Sequence, residues 1–271
     1  MNVALTIAGS DSGGGAGIQA DMKAMQAQGV FAASVVTAVT AQNTQAVLDA
    51  FELPPDLIAK QIDAVYDDFT VGATKTGMLS SAAIIEIVAE KLQERRVSPL
   101  VVDPVMISKS GFPLLRDDAV ETLRERLLPL ATLVTPNAHE ARRLTGLEVD
   151  SEEGQQEAAA AIHAMGPGAV LVKGGHVDEA GDAVDVLYDG KRMRAFRAPR
   201  IATENTHGTG CTYASAIAAN LARGFSLKES VARAKRYVTE AIRHAPAIGQ
   251  GHGPVSHFYF LKQVDVFPPA E

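Results

Sequence analysis

The stretch Ala4-Leu5-Thr6-Ile7-Ala8-Gly9-Ser10-Asp11-Ser12-Gly13-Gly14-Gly15-Ala16-Gly17 joins a short apolar run to a glycine-rich turn, with a helical pattern beyond it. Ala4–Ala8 is apolar without strict alternation, as expected of a parallel strand covered on both faces. Glycines at a strand-to-helix junction let backbone N–H groups approach a ligand closely, near the partly positive end of the helix. The spacing completes neither a Walker A loop, which needs Gly-Lys-Ser/Thr, nor the G-x-G-x-x-G of a dinucleotide site. On spacing alone the turn reads either as a ligand-contacting loop or as a plain flexible connection.

The same rhythm repeats outward from this stretch. Further strands are predicted at Ser34–Thr40, Val71–Thr76, Leu100–Asp103, Thr132–Val134 and Ala169–Val172. Helices are predicted to begin near Gly15, Pro55, Ser80, Asp117, Asn137 and Asp150. Pro55 suits a first helical turn, and Asp150 followed by Glu153 reads as a capping box. Such alternation implies right-handed crossovers and a layered α/β sheet. The rhythm then changes. Ala183–Tyr188 and Lys191–Ala198 flank Asp189-Gly190, which predicts an appended antiparallel hairpin on a type I′ turn. Two helices are predicted to follow, at 208–223 and 227–244, the first ended by a left-handed Gly224. No low-complexity linker or internal repeat divides the chain, so residues 1–271 read as one domain.

Composition narrows the partners. Across 271 residues, 25 Lys plus Arg face 32 Asp plus Glu, a formal charge of −7. That balance argues against non-specific binding of nucleic acid or an anionic membrane, which needs a basic footprint. Any nucleotide is expected to be a small ligand held by local geometry. Cys211 is the only cysteine, which excludes an intrachain disulfide and a multi-cysteine zinc site. The start of the chain lacks a basic leader and its apolar run stops at Gly9, so no signal peptide is expected. The uncharged stretch Ala24–Leu48 is interrupted by Gln26, Gln28, Gly29, Thr40, Gln42 and Asn43, too polar for a membrane span. The expectation is a soluble cytoplasmic protein. His139, His176 and His207 lie in separate loops without an H-E-x-x-H pattern, which argues against zinc.

Chemistry concentrates at a second glycine site. Asn205-Thr206-His207-Gly208-Thr209-Gly210-Cys211-Thr212 leads into an alanine-rich helical pattern. Gly208, Thr209 and Gly210 expose consecutive N–H groups where the helix dipole is positive, an anion hole suited to a phosphoryl group in transfer. Cys211 falls in the first turn. The helix end acts to lower a free-thiol pKa near 8.5, by about 1.5 units at most, and a nearby polyphosphate would oppose that. The alternative is a small structural cysteine packed under the helix. Asp103 ends an apolar strand, where ligands of open α/β sheets sit. Asn137 and Glu140 stand one helical turn apart. Asp103 and Glu140 form a candidate Mg²⁺ pair, against helix capping by Asn137 beside a solvated Glu140. Lys173 ends another strand and offers either a cation to phosphate or merely a turn.

Leu5–Asp11, Gly14-Gly15-Ala16-Gly17-Ile18-Gln19-Ala20-Asp21, Thr40-Ala41-Gln42-Asn43-Thr44 and Lys75-Thr76-Gly77-Met78-Leu79 closely resemble the bacterial hydroxymethylpyrimidine/phosphomethylpyrimidine kinases of thiamine biosynthesis. So do Lys173-Gly174-Gly175-His176, Asn205–Thr212 and Gly253-Pro254-Val255, and the resemblance runs from Val3 to about Phe258. It implies a ribokinase-like α/β/α sandwich with a mostly parallel central sheet and no substantial lid. It also implies a homodimer using ATP and Mg²⁺. Two phosphorylations are implied: of 4-amino-5-hydroxymethyl-2-methylpyrimidine, then of its monophosphate to the diphosphate. Carried over by position, Gly9, Asp21, Gln42, Met78, Val105 and Cys211 would form the pyrimidine pocket. Gly208, Thr209 and Gly210 would hold the phosphoryl group, with Asn137, Glu140 and Lys173 toward the nucleotide and Asp103 with Glu140 toward the metal. Cys211 stands where the wider sugar-kinase superfamily has an aspartate base, so the resemblance suggests that it accepts or relays the hydroxymethyl proton. His139 and Arg142-Arg143 depart from the family pattern beside Asn137 and bear on nucleotide-base preference. Asp178–Asp182 is expected to be a polar loop near the nucleotide. Pyridoxal or pyridoxine kinase activity, a non-catalytic pyrimidine sensor and a thiol hydrolase are the competing readings.

Overall fold

The computed structural model describes residues 1–174 and 181–263. The first half runs β1 (Val3–Asp11), α1 (Gly17–Ala27), β2 (Phe31–Gln42), β3 (Val47–Glu52), α2 (Pro55–Asp68), β4 (Val71–Thr76), α3 (Ala82–Glu94) and β5 (Leu100–Val102). Next come α4 (Ala119–Thr122), which continues through Leu130 in irregular helical turns, then β6 (Leu133–Val134), α5 (Ala138–Thr145), α6 (Glu152–His163) and β7 (Val170–Gly174). The last elements are β8 (Ala183–Tyr188), β9 (Met193–Ala198), α7 (Thr209–Ala222) and α8 (Leu227–Arg243).

Alternate strand residues divide between two apolar cores, which is why the strands read as unbroken apolar runs. Leu5, Ile7, Leu100, Val102, Val134, Val170 and Val172 pack with Ile58 and Ile62 of α2, Ile84 and Ile85 of α3, Leu144 of α5 and Ile162 of α6. Ala4, Val101, Leu133 and Leu171 face the other way, onto Met25 of α1, Ile217 of α7 and Val231 and Val238 of α8. The result is a three-layer α/β/α sandwich. Its nine-stranded sheet has the order β3-β2-β1-β4-β5-β6-β7-β8-β9. β2, β1, β4, β5, β6 and β7 are mutually parallel, while β3 at one edge and the β8–β9 pair at the other are antiparallel. Among the described residues no helix is long and apolar enough to cross a membrane.

The sequence reading needs three local corrections. β3 was not anticipated, because Leu48 and Phe51 on this edge strand are 72% and 70% exposed and Val47 alone of its apolar residues is buried. The hairpin turn is longer than type I′. Tyr188 pairs with Met193, and the intervening loop is closed by Asp189 Oδ1, which accepts from the amides of Lys191 (3.1 Å) and Arg192 (2.8 Å). The cap of α6 is Ser151, whose hydroxyl accepts from Gly154 N at 3.1 Å, and not Asp150. Gly154 decides that offset, since a side chain there would come within 2.7 Å of the Glu148 carbonyl oxygen. Gly224 is left-handed as expected, at φ +85°. His176 and most of Asp178–Asp182 lie outside the described residues.

Candidate active site

The parallel strands all end at one edge of the sheet, with Asp11, Gln42, Thr76, Val102, Val134 and Gly174 as their last residues. Ligands of open α/β sheets sit beyond that edge. α7 packs against β1, β4 and β5 and brings Gly208–Cys211 toward it. The fold therefore gathers segments that are up to two hundred residues apart in the chain.

Gly9 and Met78 meet there. The β1–β2 register shifts between Ala8 and Ser10, placing Gly9 in an irregularity of the strand. A Cβ at Gly9 would come within 2.4 Å of Met78 Cε, so the thioether lies directly on the glycine. Gln42 ends β2 nearby, half-buried, its side-chain oxygen accepting from Thr40 Oγ1 at 3.2 Å. Val105 follows the end of β5 and is half-buried. Gly9, Met78 and Val105 are apolar and Gln42 carries an amide, all four at or just beyond strand ends on the same side of the sheet.

Asp21 is different. Its carboxylate accepts from Thr6 Oγ1 (2.6 Å), Ser215 Oγ (2.7 Å) and Lys75 Nζ (2.9 Å to each oxygen), and both Asp21 and Lys75 are fully buried. Among the described residues Asp21 is thus half of a buried ion pair with Lys75, a partner the sequence reading did not anticipate. Burial alone would push Lys75 down, but Asp21, with Cys211 and Asp103, holds it above the usual lysine range. Gly77 lets the ammonium come close, since a Cβ there would lie 2.6 Å from Nζ.

The Gly208–Gly210 turn sits over a second ion pair, partly buried Lys173 with buried Asp103. Lys173 Nζ donates to Asp103 Oδ1 at 2.8 Å, and Thr135 Oγ1 donates to the same oxygen at 3.1 Å. A Cβ on Gly210 would lie 3.4 Å from Lys173 Nζ and 3.7 Å from Asp103 Oδ2. Burial would raise the Asp103 carboxyl, but Lys173 and Lys75 outweigh it and hold it below the usual carboxylate range. Glu140 is buried, not solvated, and forms a true capping box: its carboxylate accepts from Asn137 N and Asn137 Oδ1 accepts from Glu140 N, both at 2.8 Å. Burial pushes Glu140 up to about 7, with Lys173 acting against the rise and Asp103 adding to it. Among the described residues no cluster of three or more His, Cys, Asp or Glu side chains forms a metal cage. Mg²⁺ needs none, because it binds through one or two carboxylates plus waters and substrate phosphates. Asp103 Oδ2 accepts no hydrogen bond among the described residues and lies beside the Gly208–Gly210 turn, so the oxygen donors present fit that ion.

Cys211 is half-buried. Burial pushes its thiol up to about 12; Lys75 acts the other way, while Asp21 and Asp103 add to the rise. Desolvation of the sulfur therefore sets the direction, opposite to the pull that a helix end exerts on a thiol.

Sequence reasoning overlooked Asp11 and Lys75 and considered His207 only as a metal ligand. Asp11 Oδ1 accepts from Gly13 N (2.8 Å) and Oδ2 from Gly15 N (3.1 Å) and Ala16 N (2.8 Å), so one carboxylate shapes the first glycine turn. His207 Nε2 meets the same Oδ2 at 2.9 Å. An aspartate two residues before a glycine run was the available signal. Lys75 gave one too, as the single charged residue of a short strand. His139, Arg142 and Arg143 line a separate open hollow of about 370 Å³ with Ile107 and Gly146. There Arg142 pairs with Glu148, and Arg143 with Asp117.

The sheet order and its covering helices, with a glycine turn at the head of one helix over a Lys–Asp pair, define the ribokinase-like fold, shared with solved vitamin kinases. The chain belongs to the phosphomethylpyrimidine kinase family, which it matches over residues 11–256. It is 54% identical to a hydroxymethylpyrimidine/phosphomethylpyrimidine kinase of Streptomyces coelicolor, over 95% of this chain and 94% of that protein. It is also 54% identical to a thiamine biosynthesis bifunctional protein of Geobacter sulfurreducens, over 96% of this chain but 53% of the relative. The chain thus spans about half the length of that bifunctional protein. Among solved structures, the ADP complex of Bacillus subtilis pyridoxal kinase superposes with a TM-score of 0.89 at 40% identity, covering 95% of this chain and 97% of that one.

Proposed function

We propose that this chain transfers the terminal phosphoryl group of ATP to the hydroxymethyl oxygen of 4-amino-5-hydroxymethyl-2-methylpyrimidine, and then phosphorylates the monophosphate, within thiamine biosynthesis. The observation that carries the reading is the position of Gly210, whose open face lies against the Lys173–Asp103 pair. A phosphoryl group there would meet the amides of Gly208, Thr209 and Gly210 on one side and an ammonium on the other. Fixed donors aimed at developing charge supply most of the acceleration in phosphoryl transfer, together with alignment.

In this reading Gly9, Met78 and Val105 hold the ring face and Gln42 its polar edge. Lys173 neutralises phosphate charge, and Asn137 and Glu140 border the nucleotide's phosphates. Asp103 and Glu140 would hold Mg²⁺, which supplies charge neutralisation on the phosphate oxygens. The alcohol oxygen forms the new P–O bond as the bond to the ADP oxygen breaks. A thiol that keeps its proton through neutral pH is no ground-state base, so the role of Cys211 narrows: its S–H faces the acceptor oxygen and, as that bond forms, takes the alcohol proton while passing its own to an oxygen of the transferring phosphoryl group. The resemblance supports a cytoplasmic homodimer as the working form.

A coupled ADP-release assay with the pyrimidine alcohol, its monophosphate and pyridoxal tests this directly. Turnover of both pyrimidines supports the proposal, and ATP use with neither overturns it. The likeness to a solved pyridoxal kinase favours a second reading, phosphorylation of pyridoxal in the same pocket. A higher kcat/KM for pyridoxal would make that the principal activity.

A further inference from the structure

The imidazole of His207 lies where three segments cross. Its Nε2 is 2.9 Å from Asp11 Oδ2 and 3.4 Å from the side-chain nitrogen of Gln42. The ring also fills the space beside Gly15, where a Cβ would come within 2.5 Å of His207 Cδ2. Behind it, Gly208 backs onto the same turn, a Cβ there falling 1.8 Å from the Gly15 carbonyl oxygen. The two glycine sites are therefore one interlocked unit.

Proton bookkeeping gives the contact a direction. Burial would raise Asp11, but the hydrogen bonds from His207 and the Ala16 amide outweigh it and hold the carboxyl below its usual range, so it has no proton to give. Nε2 must then carry the proton and donate it to Asp11. An amide nitrogen is a donor only, so Gln42 finds no acceptor in a protonated Nε2, and its N–H groups are left for a ligand. The ring that abuts the substrate-facing amide is thus held by the carboxylate that shapes the first glycine turn, and its own backbone precedes the phosphate-holding amides.

We infer that His207 is a positioning residue that couples occupancy of the ring pocket at Gln42 to the phosphate-holding turn at Gly208–Gly210, an inference that rests on the kinase reading above. An acceptor on the ring ligand draws the Gln42 N–H groups away from a contact at 3.4 Å in which two donors face each other, and that relief lets His207 settle on Asp11 and steadies the turn that grips the nucleotide. The turn has anchors that do not depend on the imidazole. Gly253 N donates to Asn205 Oδ1 at 3.1 Å, His207 N donates to Gly253 O at 3.1 Å, and Thr212 Oγ1 is bonded to His257 Nε2 at 2.9 Å. Removing the ring should leave the turn folded but uncoupled.

The test is calorimetric titration of the whole chain with the pyrimidine alcohol, with and without a non-hydrolysable ATP analogue and Mg²⁺. Coupling between adjacent sites typically amounts to about fivefold or more in affinity. The wild-type chain should bind the alcohol at least about fivefold tighter with the analogue present. In His207→Ala that ratio should fall to within about twofold of unity, with the melting temperature lowered by only a few degrees. His207→Gln, which can still reach Asp11, should recover part of the ratio. A wild-type ratio retained in His207→Ala overturns the inference. So does an equal loss of ratio and of melting temperature in both variants, which would make the role structural only. Alcohol binding by the wild type without coupling sinks the inference and leaves the kinase reading standing, whereas no alcohol binding at all sinks the reading itself.

Discussion

One added methyl group, placed at either of two glycines two residues apart, should separate stability from activity. At Gly208 the backbone is left-handed, φ +77°, and a Cβ would fall 1.8 Å from the Gly15 carbonyl oxygen. A side chain in that conformation costs about 1–2 kcal/mol, and the two turns must part by more than about 1 Å, for a total of at least roughly 3 kcal/mol. At roughly 2–4 °C per kcal/mol for a chain of this size, Gly208→Ala should melt some 6–12 °C lower than wild type. At Gly210 the nearest atoms to a Cβ are Lys173 Nζ at 3.4 Å and Asp103 Oδ2 at 3.7 Å, ordinary contact distances. No left-handed φ is needed there, and alanine is the better helix former by up to about 1 kcal/mol. Gly210→Ala should therefore fold at or above wild-type stability. Its methyl group nevertheless occupies the hollow between the anion turn and the Lys173–Asp103 pair. Displacing a reacting phosphoryl group by about 1 Å costs on the order of a hundredfold in rate, and kcat should fall by at least that. Thermal melts and ADP release, run on the two purified variants, give the answer. A Gly210→Ala enzyme with kcat within threefold of wild type would refute the placement of phosphoryl transfer at this turn.

Three further outcomes follow from the same geometry. Glu140 titrates near 7 in the folded chain against an ordinary value of 4.5, so the folded state holds the extra proton between them; stability is full below about 4.5 and falls as pH rises through 7, by up to about 3 kcal/mol. Urea unfolding from pH 5 to 8 should show that decline in the ligand-free protein and lose it in Glu140→Gln; a parallel slope in the variant would assign the decline elsewhere. With its thiol near 12, Cys211 should react with iodoacetamide at pH 7.5 far more slowly than a free cysteine, and fast alkylation in the folded protein would contradict the burial argument. Gln42→Ala should raise the KM for the pyrimidine alcohol by roughly tenfold, as loss of a hydrogen bond in a desolvated pocket predicts, while the KM for ATP stays within twofold. Equal loss for both substrates would remove Gln42 from the ring pocket.

Much of the site was legible because glycines and strand ends leave local marks. Gly9, Gly208 and Gly210 were readable as turns at strand and helix ends, and Asp103 and Lys173 as polar residues closing apolar runs. The ion pair of Asp21 was not legible because a single aspartate on an amphipathic helix carries no sign of what it faces. Only the sheet brings Lys75, fifty-four positions away, within 2.9 Å of it. Glu140 showed both sides of the problem: its capping box is a four-residue pattern, but its burial depends on segments that the pattern does not contain.

By itself, then, the chain's order of residues determined the alternation of strands and helices, the glycine turns and the acidic balance, since each depends on neighbours within a helical turn or a strand. Tertiary structure alone decided which charges lost their water. That choice turned Asp21 and Lys75 into a closed ion pair, raised the Cys211 thiol against the pull of its own helix, and set His207 between Asp11 and Gln42. Desolvation depends on what packs from every side, and no window along the chain contains that information.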